Sequence, residues 1–253
     1  FDLISGTSAG GHIALALATP GADGKPKWSA PQLAAYYREA YGRIFDNSGF
    51  KMLDVLKGLT SERYSADGID AALNEIFGEA KLSEALIEVL ITAFEVERGE
   101  PHFFLRSEAR DNPRKDHLMS FVARATSAAP TYFEPAAKFN EEEGMAFLDG
   151  ALFANNPSMC AFAHAQSLGF DEDEMTIISL GTGAVSRILQ YEEVRHWGLA
   201  NWARPILDIT SQASNHAIDW QLNHILRKGH YKYVYCEGDP GMLFDMQKDP
   251  MEL

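Results

Sequence analysis

The sequence has few cysteines and no usable glycosylation signal. Its 253 residues include two cysteines, Cys160 and Cys236, which lie far apart and form neither a Cys-x-x-Cys pair nor a Cys/His metal spacing. A disulfide framework and a structural zinc site are therefore poorly supported. The Asn156-Pro157-Ser158 tripeptide is excluded as a glycosylation site by its proline, which weighs against a glycosylated secreted protein.

Positive charge is also scarce. Lys and Arg total 22 against 36 Asp and Glu, which gives a formal net charge of -14. This balance repels phosphate backbones and offers no long-range attraction to an anionic bilayer, so we expect no nucleic-acid partner. The basic stretch from Arg106 to Lys115 is diluted by Glu108 and Asp111. We expect any membrane-surface contact to be transient and to use apolar side chains or this local patch.

Long hydrophobic runs are absent as well. The longest, such as Ile13 to Ala18, fall far short of the ~18 residues that span a bilayer. We expect a cytoplasmic protein or one peripheral to a membrane. The sequence starts at Phe1-Asp2-Leu3-Ile4, which is typical of the end of a strand and has no methionine or loop before it. We therefore expect a missing N-terminal segment, which leaves secretion open.

Hydrophobic periodicity predicts a single α/β domain over residues 1–253. The pattern indicates a strand from Phe1 to Ser5 followed by a helix, and it indicates a β-hairpin between Val89 and Leu105. The stretch from Pro31 to Phe77, with short helices near Met52 to Leu56 and Gly68 to Phe77, is more typical of a lid than of a core. Further elements are a helix from His117 to Ala129, a strand from Met145 to Leu148, a helix from Ser158 to Leu168, a strand from Met175 to Leu180 and long helices between Val194 and Leu226. Such alternation predicts an α/β sandwich with a largely parallel or mixed sheet.

The motif Gly6-x-Ser8-x-Gly10 matches a nucleophile elbow. In an elbow the serine sits on a strained turn between strand and helix, and its flanking glycines remove Cβ atoms that would clash. A plain glycine-rich turn is the alternative for such a short pattern, but the apolar strand before it and the apolar helix after it favour the catalytic interpretation. A phosphate-binding loop is disfavoured because no lysine follows the glycines.

A serine nucleophile needs a base. The chain order Ser, Asp, His of a conventional triad could be met by Ser8, Asp149 and one of His216, His224 or His230. Against this, the elbow opens the chain, whereas in the α/β-hydrolases it usually follows several strands. The histidines also fall in a region with helical spacing. The alternative is a direct carboxylate base, because Asp149 ends a short strand and Gly150 follows it.

The chain resembles the patatin-like phospholipases in four blocks that occur in the family's order. These blocks are residues 6–11 (GTSAGG), 123–133 (ARATSAAPTYF), 149–157 (DGALFANNP) and 179–183 (SLGTG). The resemblance implies a three-layer α/β/α fold with a mostly parallel, mixed sheet and a catalytic dyad of Ser8 and Asp149, without a metal or cofactor. The candidate elbow and oxyanion residues are Gly6, Ala9, Gly10 and Gly11. We expect Asn155-Asn156-Pro157 to cap the helix that starts near Ser158, and we expect Gly150, Asn155 and Asn156 to support the Asp149 turn.

The resemblance further implies a lipid acyl hydrolase that cleaves phospholipid or related glycerolipid esters through an acyl-enzyme, with protein partners unknown. The sequence departs from the family at its start: the glycine-rich loop with a basic residue, which precedes the first strand and supplies oxyanion donors, is not seen before Phe1. The closing helix also stops early at Met251-Glu252-Leu253. We therefore expect truncation at both ends. A catalytically silent lipid-binding protein and a Ser/His/Asp esterase remain as alternatives.

Overall fold

The computed structural model describes residues 1–44, 66–139, 144–181, 189–202 and 205–235. The chain divides into two compact units, Phe1–Ala165 and Gln166–Leu253. The predicted helix from Met52 to Leu56 lies outside the described residues, and the single domain expected from the sequence stays a prediction.

The first unit alternates strands and helices, as the hydrophobic pattern predicts. Its described elements are β1 Leu3–Gly6, α1 Ala9–Ala18, α2 Ala30–Ile44, α3 Ala66–Phe77, β2 Glu88–Glu95, β3 Glu100–Leu105, α4 Arg106–Asp111, α5 Met119–Thr126, β4 Ala136–Phe139, β5 Gly144–Asp149, α6 Ala151–Ala154 and α7 Ser158–Ser167. The hairpin of β2 and β3 is confirmed, and its turn contains Gly99 at φ 69°.

The sheet of the first unit is mixed, as expected. In the described residues β1 pairs with β2 in parallel, whereas β3 and β5 pair with β2, and β4 pairs with β5, in antiparallel fashion. Because β3 occupies one edge of β2, β1 and β5 lie end to end along the other edge. The register places Gly6 opposite Ile91 and Asp149 opposite Ala93. The carboxyl ends of β1 and β5 therefore face each other across Thr92.

One face of this sheet bears the hydrophobic core of the unit. Alternate residues of a strand point to opposite faces, and Val89, Ile91 and Ala93 of β2 are all buried in one cluster. The cluster also contains side chains from α1, α3 and α5, among them Leu15, Leu73 and Val122. These helices therefore cover this face.

Helices α6 and α7 cover the opposite face. Glu88 of β2 accepts a hydrogen bond at Oε1 from Nε2 of His164 on α7, at 2.9 Å. Phe103, which lies opposite Thr92 in the hairpin register, contacts Phe153 of α6 with ring centroids 5.7 Å apart. Helices on both faces of a mixed sheet confirm the α/β sandwich and give the first unit three layers.

The expectation that residues 31–77 form a lid is wrong for the helices described there. Leu33 of α2 is buried, and so are Ile69, Leu73 and Ile76 of α3, all within the main core cluster. The spacing of these α3 residues, four and then three positions apart, places them on one helix face. Burial of that face makes α3 part of the core.

The second unit, over its described residues, contains β6 Ile177–Gly181, α8 Tyr191–Val194, α9 Leu199–Trp202, α10 Pro205–Ile225 and β7 Tyr231–Tyr235. Strands β6 and β7 pair in parallel, and the predicted long helix is confirmed as α10, with 21 residues. None of the described helices of the chain is both long enough and apolar enough to cross a membrane.

Candidate active site

Ser8 lies on a strained turn between β1 and α1. Its backbone has φ 55° and ψ -129°, a region that residues with a side chain rarely adopt. Gly6 permits the turn, because a Cβ there would lie 2.2 Å from the carbonyl oxygen of Gly10. The clash that the motif predicts at Gly10 is wrong: among the described residues, an added Cβ there would meet no atom within 4 Å apart from its chain neighbours and the backbone of its own helix. Gly11 is instead the second tightly packed glycine, with 2.7 Å between its hypothetical Cβ and Cγ2 of Thr126.

Asp149 reaches Ser8 from the end of β5. Asp149 is buried, at 4% exposure, and its side chain accepts a hydrogen bond at 2.8 Å from the backbone N–H of Ala151. The Ser8 side chain lies close enough to lower the pKa of this carboxyl group. Burial raises the pKa of Asp149 to about 6, although the bonds from Ala151 and Ser8 oppose this rise. The two sequence-predicted site residues, 141 positions apart in the chain, are thus brought close enough to interact.

The backbone amides that follow Ser8 differ in their availability. The N–H of Gly10 donates to the Thr7 carbonyl at 2.9 Å, and the N–H of Gly11 donates to the Ser8 carbonyl at 2.8 Å. Within the described part of the chain, no carbonyl or side chain accepts from the N–H of Ala9. Among the elbow amides, the one at Ala9 can therefore bind a developing negative charge beside Ser8.

Glycine is required at position 150 because the backbone after β5 passes close to Thr92 of β2. A Cβ on Gly150 would lie 2.1 Å from Oγ1 of Thr92 and 2.5 Å from its carbonyl oxygen. Asn156, also predicted to support this turn, accepts at Oδ1 from the N–H of Ser158 at 3.0 Å and so caps α7. Support of the Asp149 turn by Asn155 and Asn156 stays a prediction.

Two buried threonines that the sequence did not single out join the elements around Ser8. Thr7 donates its hydroxyl to the Ala154 carbonyl of α6 at 2.6 Å and lies 2.7 Å from the hydroxyl of Thr92. Thr126, at the end of α5, accepts the backbone N–H of Ser8 at Oγ1, at 2.9 Å. No local signal marks these residues, because each partner lies more than eighty positions away.

The histidines of the rival triad belong to the second unit. His216 and His224 are on α10, where His224 Nδ1 lies 2.6 Å from the Trp220 carbonyl. His230 precedes β7 and its Nδ1 lies 2.9 Å from the Met175 carbonyl. A histidine base stays a hypothesis for substitution experiments. Across the described residues, no three His, Cys, Asp or Glu side chains are arranged to hold a metal ion.

His12 is a buried histidine of the first unit that the sequence alone does not mark. His12 follows Ser8 by one helical turn, and its Nε2 lies 3.0 Å from the Ala123 carbonyl and 2.9 Å from Oγ of Ser127. Burial lowers the pKa of His12 to about 4. The ring is therefore neutral at pH 7, and its polar contact joins α1 to α5.

Comparison with known proteins identifies relatives for most of the chain. The family model described as Patatin-like phospholipase matches residues 1–161, which nearly coincide with the first unit. "Patatin-like protein 2" of Arabidopsis thaliana is 32% identical over 93% of this chain and 64% of its own length. "Patatin-like protein 1" of Oryza sativa subsp. indica is 31% identical, over 87% and 59%. "Probable inactive patatin-3-Kuras 1" of Solanum tuberosum is 28% identical, over 90% and 64%. The chain thus spans 59–64% of the length of these relatives.

Proposed function

Because this chain belongs to the patatin-like phospholipase family, we propose that it is a lipid acyl hydrolase that cleaves fatty acyl esters of phospholipids or related glycerolipids. The observation that carries the proposal is that Ser8, held at φ 55° on its turn, lies close enough to the buried carboxylate of Asp149 to lower its pKa. A hydroxyl bonded to a carboxylate in a strained elbow is the arrangement that a serine nucleophile requires.

In the acylation step, Oγ of Ser8 attacks the carbonyl carbon of the ester while Asp149 accepts the hydroxyl proton. The carbonyl oxygen becomes negatively charged in the tetrahedral intermediate, and the N–H of Ala9 donates a hydrogen bond to it. The intermediate collapses when the bond to the leaving alcohol breaks. Asp149 returns its proton to that alcohol, and the fatty acyl group stays on Ser8.

Deacylation reverses the direction of the same proton transfers. Asp149 takes a proton from a water molecule, whose oxygen attacks the acyl carbon. The second tetrahedral intermediate expels Oγ of Ser8, which recovers the proton from Asp149, and the fatty acid leaves. A metal is not needed for any of these steps.

The raised pKa suits Asp149 to both halves of this cycle. At pH 7 a carboxyl group with a pKa of about 6 is still mostly ionised and can accept a proton. With a raised pKa, the carboxylate of Asp149 is a stronger base than an ordinary aspartate. Once protonated, Asp149 is a weaker acid than ordinary aspartic acid and keeps the proton until it is delivered to the leaving group. Burial therefore tunes the carboxylate toward the pH at which it must exchange protons.

Contact with a lipid surface is part of the proposal. Ala9, Gly10 and Ile13 lie next to Ser8 along α1 and are exposed, with 44% exposure for Ile13. The chain has a net charge of -14, so attraction by anionic headgroups cannot bring it to a bilayer. Apolar contact beside the elbow supports a transient approach that places an ester near Ser8.

Labelling with a fluorophosphonate tests the nucleophile directly. We expect one labelled serine in the purified protein, identified as Ser8 by peptide mass spectrometry. Ser8→Ala should abolish the label, and Asp149→Asn should slow it by about 100-fold or more because the base is lost. The matched control is Ser167→Ala, at an exposed serine on α7, which should label normally. Labelling that persists in Ser8→Ala would refute the assignment.

A catalytically silent lipid-binding protein is the second candidate, since one relative is named as probably inactive. The two candidates differ in a single experiment with phosphatidylcholine vesicles. A hydrolase releases fatty acid and loses this activity in Ser8→Ala. A silent protein binds the vesicles, as measured by co-sedimentation, without fatty acid release.

A further inference from the structure

We propose that Thr126 is a positioning residue, which holds the Ser8 turn and the Asp149 turn in register from the end of α5. This inference rests on the proposed dyad and goes beyond it, because Thr126 itself contacts neither substrate nor the transferred proton.

Thr126 bonds to both turns at once. Its Oγ1 accepts the backbone N–H of Ser8 at 2.9 Å, and its carbonyl oxygen accepts the backbone N–H of Gly150 at 3.3 Å. The same helix end contributes the Ala128 carbonyl, which accepts the N–H of Asp149 at 3.0 Å. Residues 126–128 therefore accept hydrogen bonds from both the Ser8 turn and the Asp149 turn.

The packing around Thr126 leaves it no other position. The residue is fully buried, at 0% exposure, and its Cγ2 fills the space that Gly11 leaves by lacking a Cβ. Helix α1 consequently lies close against α5. The hydroxyl cannot turn away from Ser8 without moving the methyl group out of that contact.

The hydrogen bond from the Ser8 N–H to Thr126 stabilises the strained turn. At φ 55° the Ser8 backbone is strained, and such a conformation persists only where surrounding contacts hold it. Without an acceptor, the buried N–H adds a desolvation penalty to that strain. The turn would relax toward an ordinary conformation and carry Oγ of Ser8 away from Asp149.

Thr126→Val tests this role, since valine keeps the shape and removes the acceptor. We expect kcat for a soluble p-nitrophenyl ester to fall by about 10- to 100-fold, as for a reacting group displaced by ~1 Å, with KM nearly unchanged. Thr126→Ser keeps the hydroxyl and should retain kcat within about threefold of the wild type. If the turn relaxes, the Ser8 side chain no longer lowers the pKa of Asp149. The acid limb of the pH profile should then move to higher pH.

Thr19→Val is the matched control. Thr19 is a buried threonine of similar exposure, and its hydroxyl bonds to the Leu15 carbonyl at 2.8 Å, within α1. It should lose thermal stability as Thr126→Val does while keeping the acid limb in place. If Thr126→Val does not fold, Thr126→Cys replaces it, because sulfur is a weak acceptor.

The outcomes separate this inference from the proposed function. Full kcat and an unmoved acid limb in a folded Thr126→Val protein would overturn the role of Thr126 while leaving the dyad intact. Equal loss of kcat in Thr126→Ser and Thr126→Val would also overturn it, since the hydroxyl would then be irrelevant. Absence of both serine labelling and ester turnover in the wild type would instead remove the dyad on which the role depends.

Discussion

The pH dependence of ester hydrolysis should report the ionisation of Asp149. Its pKa is about 6 against an ordinary value of 3.8 because the carboxyl group is buried. The difference corresponds to about 3 kcal/mol of additional free energy required for ionisation. Only the ionised carboxylate accepts the proton of Ser8, so the rate follows the ionised fraction.

The ionisation of Asp149 predicts a defined pH profile of ester hydrolysis. We expect kcat/KM for a soluble p-nitrophenyl ester to level off above pH 7 and to fall about tenfold for each pH unit below 6. At pH 5 the rate should be about a tenth of the plateau. Asp149→Asn should lower the plateau by about 100- to 10,000-fold and leave no acid limb near pH 6.

A histidine base would give an acid limb in a similar range, so two controls accompany the profile. The pKa of a carboxyl group changes little with temperature, whereas that of an imidazole falls on heating. The midpoint of the acid limb should therefore stay constant when the temperature is raised by about 20 °C, from about 15 to about 35 °C. Both temperatures lie below the usual range of unfolding. His216→Gln, His224→Gln and His230→Gln should each keep the limb. A midpoint near pH 4, or loss of the limb in one of these variants, would refute the assignment to Asp149.

Three further predictions concern stability and packing. Gly6→Ala should destabilise the protein by about 1–3 kcal/mol because its Cβ meets backbone, whereas Gly10→Ala should be neutral or stabilising by up to ~1 kcal/mol in urea unfolding. Gly150→Ala should abolish turnover, because a Cβ 2.5 Å from the Thr92 carbonyl displaces the aspartate turn; wild-type kcat would contradict this. His12 has a folded-state pKa of about 4 against 6.5, so its contribution is intact above pH 6.5 and is lost as pH falls toward 4. In an Asp149→Asn background, which removes the opposite trend of that carboxyl group, unfolding should require less free energy at pH 5 than at pH 7, and His12→Gln should reduce this difference by about 2 kcal/mol. The remaining difference comes from other histidines such as His117, whose pKa is also lowered to about 4.

Much of the first unit could be predicted from local pattern. The elbow, the β2–β3 hairpin and helix α7 follow from turn residues and periodicity, and each is confirmed within a few residues. Helix α5 is shorter than expected, since it ends at Thr126 and not near Ala129. Strands β4 and β7 were not predicted. β4 spans four residues, Ala136–Phe139, too few for a period to be recognised, and it forms by pairing with β5.

The elbow shows where local inference stops. The motif predicts a strained turn at Ser8, and the turn exists, yet the reasons for its glycines differ from those expected. The motif predicts a steric requirement at Gly10, yet no described neighbouring element comes within 4 Å of a Cβ added there. Gly11, which the five-residue pattern does not include, is the glycine pressed against α5. Whether a Cβ fits depends on the neighbouring element, which the pattern does not contain.

The sequence by itself determined most of the strands and helices, and it marked Ser8 and Asp149 as candidates, because turn chemistry and hydrophobic period act over a few neighbouring residues. Only the tertiary structure decided that these side chains meet, that Thr126 bonds to both of their turns, and that burial raises the pKa of the carboxyl group. Strand register and burial depend on contacts between segments that lie far apart in the chain, such as Leu3 of β1 and Glu88 of β2, and no local pattern specifies them.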